Sequence, residues 1–224
     1  MIEEIQNNFK LAMKFRQNAV YCLETMLASK DFVSILNNTK EANTFNLIGI
    51  CLYSKALIEI RKILEPVSAE KKANIRALIE YIRDNKNYLI EKHYIDALKT
   101  PIHLSNFPFE GVEEFIKLRQ EKKAKQNKKR CKKQIDLILV VWDIFWKRLG
   151  NEYAFIKDNR DNIVHSFTKE VTKLPSIAKL YRVLNIATWF LKKIDYIINN
   201  SAFDYSFEKE QLSDISKTFW SRIK

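Results

Sequence analysis

Apolar side chains recur every three or four residues along most of the chain, which is the period of an amphipathic α-helix. The first stripe covers residues 5–27 and predicts one long helix with a single core-facing side. Residues 45–64 are apolar nearly all round and stop before Pro66, as expected of a helix in the middle of a bundle. Residues 177–198 predict another core helix, which the following Asn-Asn-Ser sequence ends.

The stretches between these helices carry weaker patterns. Ser68 is a good N-cap for a more polar helix that runs towards Leu89, and we expect this helix at the surface. Residues 93–111 contain two prolines, so we expect a connection there with a short helical turn at most. This connection is the best candidate for an internal boundary. A last amphipathic segment, residues 212–223, is expected to pack on the body.

Helical patterning resumes at Val112, loses its apolar stripe across a lysine-rich run, and regains it from Ile135 to Gly150, the expected C-cap. Either one very long helix projects from the body, or a basic loop leads into a shorter helix. The long helix is favoured, because lysines crowded at a new helix N-terminus would oppose its dipole. A further short helical segment is expected at residues 151–166.

Composition agrees with a folded helical protein. With 46% apolar residues, 3 Gly and 4 Pro in 224 residues, the chain is neither disordered nor collagenous, and it shows no strand pattern or internal repeat. We predict one all-α domain over residues 1–224, a bundle of about four core helices with extra helices, a basic helical excursion at 117–133 and a C-terminal addition at 201–224. Aromatic residues at helical spacing are expected in the core or a dimer interface: Trp142, Phe145, Trp146, Trp189 and Phe190.

Three widely spaced cysteines without a CxxC or Cys/His cluster indicate a reduced, cytoplasmic protein. Cys22 and Cys51 lie in apolar patterns and are expected to be core thiols, whereas the lysines around Cys131 would lower the pKa of its thiol. The acidic start of the chain does not resemble a secretion signal, and the longest apolar stretch, residues 135–146, is too short for a bilayer. We therefore expect no membrane partner.

Most familiar sites are absent from the sequence. The glycines do not form a phosphate-binding loop, and no pair of carboxylates stands in an apolar helical context. His93, His103 and His165 are not paired at metal-ligand spacing, so we expect neither a metal nor another cofactor.

Arg160 and His165 stand five residues apart, with Asp161 directly after the arginine. The segment has a polar head and an apolar interior, and it lies between two strongly apolar helical patterns. These residues resemble the Arg-x4-6-His motif of HEPN domains, in which the first intervening residue is commonly Asn, Asp or His. HEPN domains are all-α bundles with this motif on a late helix. Over roughly residues 5–200 the chain is similar to their bacterial abortive-infection branch of the AbiU type.

The resemblance implies a metal-independent endoribonuclease that acts as a homodimer, often in a toxin–antitoxin or phage-defence system. The residues suit cleavage of RNA by its own 2′-OH. His165 would transfer protons, since an imidazole has an ordinary pKa of about 6.5. Arg160 would grip phosphate oxygens and stabilise the charge of the phosphorane, and Asp161 would orient one of them.

Helical geometry constrains this site. Five residues of a regular helix separate Arg160 from His165 by about 140° around the axis and about 7.5 Å along it. Either the helix begins near Asp161 and Arg160 folds back, or the site is completed across a twofold axis by a second copy. We favour the dimer, in which two motifs line a shared cleft.

The chain carries a net charge of +12, of which the window 117–133 holds +9. One interpretation is an RNA-binding arm that contacts phosphates without reading sequence, and the other is a solvated helix face or the docking site of an acidic partner. No aromatic residue interrupts the run, so base-stacking platforms are missing from it. The candidate RNA-binding residues are Lys122, Lys123, Lys125, Lys128, Lys129, Arg130, Lys132 and Lys133.

Three functions remain open from sequence. The first is a HEPN ribonuclease that needs both Arg160 and His165. The second is a non-catalytic member that binds nucleic acid or a nucleotide through the lysines. The third is a helical interaction protein, such as one half of a toxin–antitoxin or defence complex.

Overall fold

The computed structural model describes residues 2–33, 42–64, 73–101, 112–165, 175–201 and 204–222, with side chains except at 31–32, 147–165, 205 and 207. Within these ranges the chain forms seven α-helices and one short 3-10 helix, Ser29–Phe32, and no strand. The α-helices are α1 (Ile2–Ala28), α2 (Ala42–Leu64), α3 (Ile75–Asp84), α4 (Lys86–Lys99), α5 (Val112–His165), α6 (Ile177–Asn199) and α7 (Tyr205–Ser221). The all-α prediction is confirmed. None of the described helices is long and apolar enough to cross a membrane.

Residues from each of the helices α1 to α6 form the core. Helix α1 buries the predicted stripe, and α2 ends at Leu64, directly before the Glu-Pro pair that stops it. Helix α6 ends at Asn199, because Asn200 adopts a left-handed conformation with φ of 53°. Trp142, Phe145 and Phe190 are buried, and Trp146 and Trp189 pack against the same cluster. These five aromatics are therefore core residues.

Helix α2 differs from its prediction in its first half. Its second half is buried, as expected, but Leu47 and Ile50 are 57% and 55% exposed, and Cys51 is also exposed. An apolar composition shows that a helix can be buried on every side, but burial also needs neighbours on every side. The described neighbours surround only the half that follows Leu52.

The third and fourth helices correct two further expectations. Asn74 caps α3 by accepting from the amide of Ala77 at 2.9 Å, whereas Ser68 lies outside the described residues. Helix α3 buries one apolar side, so it is only partly a surface helix. The helix ends before Asn85, and α4 begins directly after this residue and runs to Lys99. Residues 93–99 are thus helical rather than part of a connection, and 102–111 are outside the described residues.

Helix α5 is one helix of 54 residues that passes through Gly150. The predicted C-cap is therefore wrong. A single glycine costs a helix interior only about 1 kcal/mol, and the sequence has no proline between Pro108 and Pro175 to stop the helix. The segment expected separately at 151–166 is its continuation as far as His165.

The basic run of α5 is not a lone helix, because α4 packs along it. Helices α4 and α5 lie antiparallel as a helical hairpin, which several contacts define. At one end Lys86 Nζ lies 2.6 Å from Asp136 Oδ1. Towards the other, Gln120 Nε2 donates to the carbonyl oxygen of Thr100 at 3.4 Å. The predicted excursion at 117–133 is therefore packed along α4.

Helix α7 packs on α1, as predicted for the C-terminal segment, and it begins several residues earlier than expected. Trp220 Nε1 donates to the carbonyl oxygen of Thr25 at 2.6 Å. Arg16 of α1 is only 3% exposed and forms an ion pair with Glu208 of α7. These contacts attach the addition firmly to the bundle.

Candidate functional site

The predicted catalytic residues lie at the end of α5. Arg160, Asp161 and His165 all fall within this continuous helix, and their side chains are outside the described part of the structure. Because the helix runs through Asp161, the arrangement in which a helix begins there is wrong. Regular helical geometry then separates Arg160 and His165 by about 140° around the axis. Completion of the site by a second copy remains a prediction.

The inner face of α5 anchors the basic run to α4. Ala124, Cys131 and Ile135 are fully buried, at spacings of seven and four residues that put them on one side of the helix. Cys131 lies 4.0 Å from the carbonyl oxygen of Leu89 on α4. The buried side of α5 thus packs against α4 along the basic run.

Burial changes the chemistry of two cysteines. Burial raises the pKa of the Cys131 thiol to about 12, although lysines surround it in sequence. The expectation that the lysines lower this pKa is therefore wrong. Cys22 is a core thiol, as predicted, and burial likewise raises its pKa to about 11. Neither thiol is suited to nucleophilic or redox chemistry.

The outer face carries most of the charge. Six lysines of the run are exposed and form no ion pair with any described residue: Lys122, Lys123, Lys125, Lys129, Lys132 and Lys133. The other two candidates have partners. Lys128 pairs with Glu91 and lies 5.5 Å from the centre of the Tyr94 ring, and Arg130 lies 5.0 Å from that of Tyr196. The structure thus brings together six of the eight predicted RNA-binding residues as a free cationic surface.

Two acidic residues that follow this surface along α5 are paired with cations of other helices. Asp136 binds Lys86 at 2.6 Å, and Asp143 binds Arg83 at 3.0 Å. Cations of α3 and α4 therefore neutralise the carboxylates at the C-terminal side of the run. The lysine face keeps its positive potential, which is the property that attracts a polyanion.

The outer face becomes apolar further along α5. Leu137, Val140 and Ile144 are 40%, 58% and 48% exposed and follow one another at spacings of three and four. They form an uncovered apolar stripe on the helix, between the lysines and the Arg160–His165 segment.

A buried histidine was not singled out from sequence. His93 of α4 is fully buried, with Nε2 2.9 Å from the carbonyl oxygen of Ile197 and its ring 5.2 Å from that of Tyr196. Burial lowers the pKa of His93 below its ordinary value, so the neutral ring is favoured. The apolar residues around it in α4 and α6 were the available signal. No group of three His, Cys, Asp or Glu residues in the described part could hold a metal ion.

The lysines and the Arg–His segment are far apart. Lys133 and Arg160 are separated by 27 residues of helix, which corresponds to about 40 Å along the axis. One copy of the chain therefore does not bring them into a single pocket. Comparison of the chain with protein-family models, with curated proteins and with solved structures found no match.

Proposed function

We propose that this protein is a metal-independent endoribonuclease of the HEPN type. In this proposal the exposed lysines of α5 hold RNA, and Arg160 and His165 cleave it. The observation that supports it best is that a single helix carries an Arg-x4-His segment and six exposed lysines that form no ion pair with any described residue. A role in phage defence or as the toxin of a toxin–antitoxin pair follows from the resemblance.

The chemistry needs two functions that these residues can supply. A general base takes the proton of the 2′-OH and an acid protonates the leaving oxygen, and His165 can act near neutral pH. Arg160 stays charged and binds the phosphorane oxygens through two parallel hydrogen bonds. Asp161 orients one of these groups. The expected product ends are a 2′,3′-cyclic phosphate and a 5′-hydroxyl.

The active form is proposed to be a homodimer. Because α5 is continuous through Asp161, Arg160 and His165 of one chain do not share a helical face. A second copy would supply the missing partner. The uncovered stripe Leu137–Val140–Ile144 is an apolar surface on the same helix that such a copy would cover.

The test is RNA cleavage by purified protein in EDTA, with the fragment ends identified. Wild type is compared with Arg160→Ala and His165→Ala, and with Arg83→Ala as a matched control. Arg83 forms an exposed ion pair with Asp143, so its loss should leave folding and cleavage unchanged. We expect each catalytic substitution to reduce cleavage at least about a hundredfold.

Two results would contradict this proposal. Equal inactivity of wild type and both folded variants would mean that the segment has no catalytic role in the protein alone. Activity that persists in both variants would assign cleavage to another site or to a contaminant. Circular dichroism of each variant establishes that a loss of activity is not a loss of fold.

A second candidate is a protein that binds RNA or an acidic partner without cleaving it. It is favoured by the separation of about 40 Å along α5 between the lysines and Arg160. In this case binding survives His165→Ala and fails when the exposed lysines are replaced. Because both candidates predict this pattern of binding, cleavage of RNA by the wild-type protein decides between them.

A further inference from the structure

An open cleft lies beside the start of the basic run, where the end of α4 meets the first turns of α5. Its volume is about 780 Å³. Its described lining includes Pro101 after α4 and five side chains of α5: Phe115, Leu118, Arg119, Lys122 and Lys123. The cleft thus combines an aromatic ring with three cations.

The aromatic residue is positioned for contact with a ligand. Phe115 is 47% exposed, and Arg119 and Lys122 follow it at four and seven residues, which places all three on one side of α5. The lysine run itself contains no aromatic residue, but Phe115 stands just upstream of it and shares its exposed face. Arg119, Lys122 and Lys123 form no ion pair with any residue that the structure describes.

This combination suits one class of ligand. Phosphate groups bind cations, whereas the flat faces of unpaired bases stack on exposed aromatic rings. In duplex nucleic acid the bases are already stacked on each other, so only its phosphates are available to such a cleft. An acidic protein would use the cations but would have no need of an exposed ring.

We infer that this cleft binds single-stranded polynucleotide, with a base stacked on Phe115 and the adjacent phosphates on Arg119, Lys122 and Lys123. The inference rests on the proposed function for the choice of RNA as the ligand. It adds the strandedness of the substrate and two residues, Phe115 and Arg119, to the candidate RNA-binding surface. The cleft lies at the end of this surface that is farthest along α5 from His165.

The test is fluorescence anisotropy with the full chain and a labelled 2′-O-methyl oligouridylate of about 20 nucleotides, longer than common single-strand site sizes. This probe lacks the nucleophile for cleavage. Phe115→Ala should weaken its binding about tenfold, because one stacking contact is lost. Phe115→Trp should retain the affinity. Leu47→Ala, which removes an apolar side chain that is 57% exposed on α2 and does not line the cleft, is the control and should change the affinity less than twofold.

A duplex of the same length and a single-stranded DNA complete the experiment. Duplex affinity should not depend on Phe115, and RNA should bind at least as tightly as DNA. The inference is overturned if Phe115→Ala leaves single-strand binding unchanged, or weakens duplex binding equally. Equal losses in Leu47→Ala and Phe115→Ala, without rescue by Trp, would also overturn it, because the loss of affinity would not depend on a ring in the cleft.

Its failure is distinguishable from failure of the proposed function. If the chain binds RNA through the lysines and Phe115→Ala has no effect, only the cleft assignment fails. If wild type binds no polynucleotide, the RNA-binding part of the proposal fails with it. Cleavage in EDTA by wild type and the Arg160 and His165 variants is judged separately.

Discussion

Along residues 112–146 of α5, the inner and outer faces of the helix differ in which side chains have partners. The inner face buries Ala124, Cys131 and Ile135, and its Trp142 packs against the aromatic cluster of the core. The outer face carries six lysines without a described ion-pair partner, followed by an uncovered apolar stripe. The packed face fixes the backbone positions of the lysines, so a ligand meets a charge pattern that is already arranged.

The two faces of α5 should differ most in how far a substitution lowers the free energy of unfolding. Trp142 is 4% exposed and lies edge-to-face on Phe190 with ring centres 5.2 Å apart. Trp142→Ala should lower the free energy of unfolding by about 3–5 kcal/mol, because it leaves a cavity in the core. Lys129→Ala on the outer face, outside the apolar stripe that a second copy is proposed to cover, should change it by less than about 0.5 kcal/mol. Urea unfolding measures both, and similar losses would show that the outer face is covered in solution.

Thiol reactivity tests whether the inner face of α5 is shielded from solvent, with an exposed cysteine of α2 as the reference. Cys131 on the inner face has a pKa raised to about 12 by burial, whereas Cys51 of α2 is exposed. At pH near 8, alkylation of Cys131 should be at least about a hundredfold slower than that of Cys51. Mass spectrometry of peptides after timed alkylation reads out each site. Comparable rates would mean that α4 and α5 separate readily.

Charge substitutions sharpen the comparison between paired and unpaired cations. The double variant Lys129→Gln and Lys133→Gln removes two unpaired charges, and Arg83→Gln with Lys86→Gln removes two paired ones. The first should weaken RNA binding by about tenfold and reduce the slope of log affinity against log salt by about 1.4. The second changes net charge equally and should have a smaller effect. Equal effects would show that only total charge matters.

The smallest expected effect is a pH dependence of the free energy of unfolding. It comes from His93 of α4, the helix that the inner face of α5 contacts. Its pKa is lowered in the folded state by burial, so the unfolded chain binds a proton more readily. The stabilising contribution is complete above the unfolded pKa near 6.5 and is lost as pH falls through that value towards the folded pKa. As pH falls through this range, the wild-type protein should lose stability, and the contribution of His93 to this loss is at most about 1.4 kcal/mol per pH unit.

The control for this pH dependence is His93→Gln, which keeps a side-chain nitrogen for the carbonyl oxygen of Ile197. Urea unfolding at pH near 7.5 and 5.5 gives the loss for each protein. The variant should lose less stability than wild type. An equal loss in both would assign the pH dependence to other groups.

The sequence predicted what periodicity and stop signals determine locally. The stripe of α1, the end of α2 before Pro66 and the end of α6 at the Asn pair all follow from residues that are neighbours in the chain. Exposure of Leu47 and Cys51 was missed, because it depends on which helices lie nearby. The continuation of α5 through Gly150 was missed because glycine permits a helix end without requiring one.

In the candidate site, too, local patterns could be predicted from the sequence, and features that depend on neighbouring helices could not. The lysine run and the Arg-x4-His segment are visible as local patterns. The environment of Cys131 is not, because on a helix its adjacent residues point at least about 100° away from it. The cleft at Phe115 needs the end of α4 to form, although the spacing from Phe115 to Arg119 and Lys122 was a usable signal in the sequence.

The unbroken length of α5 has a consequence for the size of the RNA that it is proposed to bind. From the last lysine of the run, Lys133, to Arg160 the helix spans 27 residues, about 40 Å. A stacked strand advances about 3.4 Å per nucleotide, so a stacked RNA that touches both positions on one chain contains about 12 nucleotides. The length of the helix thereby relates the proposed binding and cleavage positions to one measurable quantity, the length of RNA that contacts both.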